Sequence, residues 1–304
     1  MNAIETENLT KVFAEQTAVD GLNLTVAEGS IYGFLGPNGA GKTTTLRMLV
    51  GLARPTSGDA VIMGSRISNP KRAYLRKISY LPDVPGFYDW MRASEFLRFV
   101  GETFGLGGSA LRAKIGEVLE ITGLKGVKKR IGGYSRGMRQ RLGMAQALIN
   151  EPAIIFMDEP TSALDPIGRK EVLEAIAGLA GRTTVFFSTH ILNDVERVCD
   201  TVAILNKGKL ATEQRIDCLR ASYATRYIYL EFEDGADPAA LTEKEPWLGK
   251  PEPYQEGWRL RPSDLRRAQR VLPGLIAERS LCIRRFDLLE PSLEDIFIRL
   301  VNEP

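Results

Sequence analysis

The sequence predicts an α/β fold wound round a phosphate-type loop, with a helical segment set into it and a small α+β domain behind it. Three observations carry that expectation. Gly36-Pro37-Asn38-Gly39-Ala40-Gly41-Lys42-Thr43-Thr44 fits G-x-x-x-x-G-K-[ST] without a gap. Apolar runs that read as buried strands alternate with stretches of helical spacing, the pattern of a largely parallel sheet. Beyond about residue 220 a second series of strands and helices begins, with no phosphate or metal motif in it. The expected division is 1–220, with a helical part at about 84–150, and 221–304.

Taken in order, residues 4–9 and 18–26 read as short strands with polar turns, and Phe13 lies between them. An aromatic there either stacks on an adenine ring or belongs to the core. Ser30-Ile31-Tyr32-Gly33-Phe34-Leu35 is a buried strand running into the glycine-rich loop, and residues 43–52 form the helix behind it. Residues 58–64 and 77–83 read as further strands, the second stopped by Pro82. From 84 to 150 the period becomes helical, over 94–100, 110–121 and about 139–149. The basic residues Lys125, Lys128, Lys129 and Arg130 read as a solvated loop.

The run Ala153-Ile154-Ile155-Phe156-Met157-Asp158-Glu159 is that of a strand buried on both faces, ended by two carboxylates and Pro160. Pro166 opens the next helix, and residues 183–190 make another buried strand. Asn206-Lys207-Gly208 joins a hairpin. Periodicity fades at 216–223, the expected linker. In the tail, strands are expected at 227–233, 255–261 and 280–287. Helices are expected after Asp237-Pro238, over 263–277 and from Ser292, where Ser292-Leu293-Glu294-Asp295 resembles a capping box.

A chain of 304 residues exceeds the usual single core, in keeping with two domains. The balance of 40 basic and 38 acidic residues, a net charge of +2, does not call for nucleic acid or a strongly acidic partner. Cys199, Cys218 and Cys282 are odd in number and widely spaced, which reads as reduced thiols rather than a disulfide or metal framework. The first residues lack the basic flank and apolar core of a signal peptide, and no apolar run reaches the roughly 20 residues of a membrane span.

The chemistry converges on strand ends. Glycines let the loop backbone turn its N–H groups onto an anion, Lys42 adds a point charge for β- and γ-phosphates, and the Thr43 hydroxyl can ligate Mg²⁺. Asp158 is placed to hold that ion through its water shell, and Glu159 to accept a proton from an attacking water. His190, the single histidine, follows a buried strand. It is either a γ-phosphate sensor or a satisfied polar residue at a strand end.

These motifs, with Tyr134-Ser135-Arg136-Gly137-Met138-Arg139-Gln140-Arg141 and Ser162-Ala163-Leu164-Asp165, resemble those of the ATP-binding cassette (ABC) ATPases over residues 1 to about 215. They correspond in turn to Walker A, signature, Walker B, D-loop and switch histidine. The tail, with Glu290-Pro291-Ser292-Leu293-Glu294-Asp295-Ile296-Phe297, resembles the C-terminal domain of the drug-resistance exporter subgroup.

The resemblance implies Mg-ATP held by Gly36, Asn38, Gly39, Gly41, Lys42, Thr43 and Thr44, with Phe13 on adenine and His190 on the γ-phosphate. It implies a head-to-tail dimer, with a second copy or a homologous ATPase, in which Ser135 and Gly137 meet the nucleotide held by the other chain, and Asp165 helps set the contact. It also implies integral membrane permease partners at the cytoplasmic face of the cell membrane, and no nucleic acid. The aromatics Phe87, Tyr88, Trp90, Phe96 and Phe99 either lie beside the groove for such a partner or form local core.

Two features depart from the pattern. Asp83 stands where the family has Gln, so it is expected to join Thr43 and Asp158 near the metal. Arg136 and Met138 stand in the signature where Gly and Gln are usual. The rival reading is a non-transport ABC ATPase of translation or DNA-repair type. One cassette per chain and the lack of sustained heptads speak against it.

Overall fold

The structure, a computed structural model, describes residues 1–222, 227–233, 236–242, 245–289 and 293–302. The chain opens with β1 (Asn2–Phe13), β2 (Gln16–Leu22) and β3 (Thr25–Ala27), followed by the buried β4 (Ile31–Leu35). After the glycine-rich loop come α1 (Lys42–Leu49), β5 (Ser57–Ile62) and β6 (Ser65–Arg66). A first sheet runs β2-β1-β5-β6, with β3 also paired to β1. Strand β7 (Ile78–Leu81) leads to three helices, α2 (Ala93–Thr103), α3 (Gly108–Ile121) and α4 (Arg136–Leu148). Then follow β8 (Ile154–Asp158), α5 (Pro166–Ala177), β9 (Thr184–Thr189) and α6 (Leu192–Val198). The hairpin β10 (Thr201–Asn206) and β11 (Lys209–Arg215) completes this part.

The second sheet, β11-β10-β4-β9-β8-β7, positions the site. Every residue of β4, β8 and β9 is buried, which is why these strands read as unbroken apolar runs. Phe186 sits at the centre, its ring 5.2 Å from Tyr32 and Phe34 and 5.6 Å from Phe156. The parallel register sets Leu35 beside Thr189, Asp158 beside Ser188, and Leu81 beside Met157. The chain therefore leaves β4, β7, β8 and β9 along one edge, with the residues marked by the sequence just past it.

Local chemistry moves some expected boundaries. Helix α1 stops at Leu49, three residues early, because Gly51 (φ 75°) closes it. Gly51 N–H bonds to Met48 O at 3.1 Å and Leu52 N–H to Arg47 O at 2.8 Å, a paired C-terminal cap that leaves Leu52 exposed. Helix α4 starts three residues earlier than expected, because the Ser135 hydroxyl accepts from Met138 N–H at 3.2 Å and caps it. Helix α6 has no counterpart in the sequence reading. Lys125, Lys128, Lys129 and Arg130 are exposed, as a solvated loop should be.

The chain divides into compact units 1–216 and 217–304. Residues expected as a linker form the helix α7 (Ile216–Ser222). The second unit contains β12 (Tyr227–Phe232), α8 (Ala239–Thr242), β13 (Glu252–Tyr254), β14 (Gly257–Leu260), α9 (Leu265–Glu278), β15 (Ile283–Leu289) and α10 (Leu293–Asn302). Its antiparallel sheet runs β13-β14-β12-β15. Ala268, Leu272 and Ile276, four apart on α9, pack with Ile228, Leu230 and Leu260. Asp264 caps α9 by accepting from Arg267 N–H at 2.9 Å. The expected capping residue Ser292, with Glu290 and Pro291, lies outside the described residues. No helix among the described residues is long and apolar enough to cross a membrane.

Candidate functional site

The glycine-rich loop is shaped by close backbone approaches. Gly41 has φ 105°, and a Cβ there would lie 2.4 Å from Ala18 O; one on Gly36 would lie 2.5 Å from Leu205 O. Both positions exclude a side chain. The first helical bond of α1 is Thr45 N–H to Gly41 O, at 2.9 Å. The preceding amides, including those of Lys42, Thr43 and Thr44, have no intrahelical acceptor and face outward as an anion cradle.

Lys42 is buried, and its ammonium donates to Gly36 O at 2.8 Å and Pro37 O at 3.3 Å. It also pairs with Glu159 Oε1 at 3.3 Å. The other Glu159 oxygen is 2.8 Å from His190 Nδ1. One carboxylate thus balances the loop's cation on one side and engages the histidine on the other. Glu159 has φ 48°, a left-handed conformation that costs a non-glycine residue roughly 1–3 kcal/mol. Its N–H bonded to Ser188 O at 3.0 Å helps to hold it there.

Asp158 ends β8 as a buried acid with three hydroxyl partners. Thr43 Oγ1 donates to Oδ1 at 3.1 Å and Ser188 Oγ to the same oxygen at 2.7 Å, while Tyr80 OH reaches Oδ2 at 3.5 Å. Burial, and then the charge of Asp158, push the Tyr80 phenol up to about 12, so it stays a donor at neutral pH. Thr43 and Asp158 together offer one hydroxyl and one carboxylate. That set suits a hard divalent cation that keeps water and shares the oxygens of a bound phosphate.

A cavity of about 420 Å³ lies beside these groups. Asn38, Gly39, Gly41, Lys42, Thr43 and Thr44 line it on one side and Glu159 and His190 on the other, with Phe13 and Asp83 at its rim. Phe13 is half exposed with the Lys11 ammonium 4.9 Å from its ring centre, so the core alternative does not apply. Asp83 directs its carboxylate to Arg136 at 3.5 Å, and its carbonyl accepts from Gln140 Nε2 at 2.7 Å. Asp83 and Arg136, one from each departure from the family pattern, therefore face each other, between the end of β7 and the start of α4.

Ser135 and Gly137 do not line this cavity. Ser135 caps α4, and a Cβ on Gly137 would come within 3.2 Å of Gly168 Cα, where α4 meets α5. Asp165 caps α5 through Gly168 N–H at 2.9 Å. The aromatic segment is divided: Phe96 is buried against Phe87 at 5.2 Å, while Tyr88, Trp90 and Phe99 are exposed. Sequence reasoning missed Tyr80 and Ser188. Ser188 left a trace, as a hydroxyl in an apolar strand two residues before His190.

A family model described as ABC transporter matches residues 19–162, and one described as the ATP-binding protein DrrA1-3-like, C-terminal domain, matches 215–301. The chain is 40% identical to the bacitracin transport ATP-binding protein BcrA of Bacillus licheniformis, over 98% of this chain and 97% of that one. It is 33% identical to the daunorubicin/doxorubicin resistance ATP-binding protein DrrA of Streptomyces peucetius, over 99% and 93%. Among solved structures it is similar to an ATP binding subunit of an ABC transporter, with TM-score 0.64 and 28% identity, covering 73% of this chain and 93% of that one.

Proposed function

The chain belongs to the ATP-binding proteins of ABC transporters, an ATP-hydrolysing family, and from that premise we propose that it drives an exporter through separate membrane-spanning partners. The observation that carries the reading is the convergence of Lys42, Thr43, Glu159 and His190 on one cavity under an anion cradle, with Asp158 bonded to Thr43 behind it. Export is favoured because BcrA and DrrA, by name a bacitracin transport and a drug-resistance protein, align along nearly the whole chain.

In this reading Lys42 gives up its bond to Glu159 and turns to the β- and γ-phosphates of ATP. Glu159, released on that side and still beside His190, accepts a proton from the attacking water. Thr43 and Asp158 would hold Mg²⁺, which when bound would supply charge neutralisation for the phosphate oxygens. Asp83 reaches that region only by leaving Arg136. Phe13 stacks on the adenine, and His190 holds the γ-phosphate side.

Ser135 and Gly137 lie off this cavity, which supports a head-to-tail dimer in which a second copy, or a homologous ATPase, presents them to the nucleotide. Residues 1–220 then form the ATPase domain, with its helical part at about 84–150, and 221–304 an accessory domain. The assembly works at the cytoplasmic face of the cell membrane, docked on permease subunits, without nucleic acid. ATP tightens the dimer and hydrolysis loosens it, which requires much stronger ATP binding to the closed state.

Glu159→Gln tests the reading. The full-length variant should bind ATP and form an ATP-dependent dimer that light scattering detects. A variant that binds ATP but stays monomeric, alone and with its permease, contradicts the dimer cycle.

A further inference from the structure

Ser188 is fully buried, near the end of β9, beside Asp158 in the parallel register. A hydroxyl in such surroundings is tolerated only when bonded. Its proton goes to Asp158 Oδ1 at 2.7 Å, and its oxygen accepts from Glu159 N–H at 3.3 Å. The Ser188 carbonyl accepts the same N–H at 3.0 Å. One residue thus grips the two successive acidic residues that the proposed mechanism uses for different tasks.

We propose that Ser188 is a positioning residue for ATP hydrolysis, fixing the metal carboxylate of Asp158 and the left-handed backbone of Glu159 together. The inference rests on the roles proposed above for Asp158 and Glu159.

The bonds to Asp158 differ in what they can keep doing. Thr43 Oγ1 shares Oδ1 with Ser188, but Thr43 is also the loop's candidate metal ligand, so its hydroxyl is engaged elsewhere once the cation is held. Tyr80 reaches only Oδ2, at 3.5 Å. Ser188 alone among these three donors keeps a short bond to Oδ1 without a second duty toward the phosphate. Without it the carboxylate rotates and the positive φ of Glu159 loses one of two acceptors. A bond to a charged group in a buried setting is strong enough to matter at the level of rate and metal affinity.

A purely packing role makes different predictions, because removing one small hydroxyl would then leave metal dependence unchanged. The experiment uses the full-length chain with Ser188→Ala, Ser188→Cys and Ser188→Thr. ATP binding is followed by calorimetry in EDTA and through a Mg²⁺ titration, with turnover and thermal unfolding alongside. Ser188→Ala is expected to bind ATP normally in EDTA, to need about tenfold more Mg²⁺, and to turn over at least about tenfold more slowly. Ser188→Cys preserves volume and should follow Ser188→Ala, which keeps the test valid if the alanine variant folds poorly. Ser188→Thr retains the hydroxyl and should recover the Mg²⁺ midpoint.

A folded Ser188→Ala or Ser188→Cys chain with the wild-type Mg²⁺ midpoint and turnover overturns the proposal. Asp158→Asn separates the two layers. If it shifts the Mg²⁺ midpoint and the Ser188 variants do not, only the positioning role falls. If neither shifts it, the metal-site reading itself is wrong.

Discussion

The six-stranded sheet of the first unit is built round strands buried along their whole length, whereas in the four-stranded sheet of the second only β12 is largely buried, and the two sheets treat charge differently. Along the first sheet, parallel neighbours finish side by side, so Asp158, Glu159 and His190 emerge next to the loop that carries Lys42. In the second, antiparallel strands end in opposite directions, and charged residues pair along the sheet itself. Glu231 meets Arg284 at 3.1 Å, Arg285 meets Asp287 at 2.6 Å, and Arg259 meets Glu252 at 2.8 Å. Arg259 also lies over the rings of Tyr227 and Tyr254. Strand direction decides whether polar groups converge on a ligand or on each other.

The largest expected effects come from emptying the two cores separately. Phe186→Ala removes the ring between Tyr32, Phe34 and Phe156 and should cost the first unit about 3–5 kcal/mol. Leu272→Ala should cost the second unit about 2–5 kcal/mol while leaving ATP affinity unchanged. Denaturant unfolding with and without ATP checks both. An ATP affinity that falls with Leu272→Ala at temperatures where the chain stays folded breaks the comparison.

Next in size is the loop cation. Lys42→Ala should weaken ATP binding about 100-fold, as loss of a charge-assisted contact in a buried site does. Arg259→Ala, an equal loss of charge in the other sheet, should leave affinity unchanged. Calorimetry on both variants sharpens the contrast, and equal losses would abolish it.

The smallest effect concerns Asp83 and Arg136. Both side chains are nearly half exposed, so their pair at 3.5 Å should be worth under about 1 kcal/mol. Asp83→Gln should retain ATPase, and Asp83→Ala should keep ATP binding but weaken coupling to the permease. A double-mutant cycle of Asp83→Gln and Arg136→Gly, read as turnover across a Mg²⁺ titration, should give a small coupling that grows as Mg²⁺ falls. Strictly additive effects would show that the two departures are independent.

What was legible in the sequence is what lies close together along the chain. The loop fixes its own glycines, Lys42 and Thr43 within one motif, and Asp158 and Glu159 follow one apolar strand. Tyr80 and Ser188 escaped because their meeting with Asp158 depends on the strand order β9-β8-β7, which separate segments do not encode. Asp83 and Arg136 each stood out as unusual, yet their pairing requires α4 to pack at the end of β7. Phe13 had two readings until its exposure decided against the core. Helix α6 was missed because seven residues, two of them buried, leave little periodicity to read.

Glu159, the proposed proton acceptor, is held between Lys42 and His190 before nucleotide arrives. Single-turnover hydrolysis at saturating Mg-ATP, with binding measured on the same preparations, tests that role most directly for wild type and Glu159→Gln. The predicted result is an ATP affinity within a few-fold of wild type and a chemical step slowed by about 10²–10⁴. A Glu159→Gln chain that hydrolyses ATP at the wild-type rate would contradict the account.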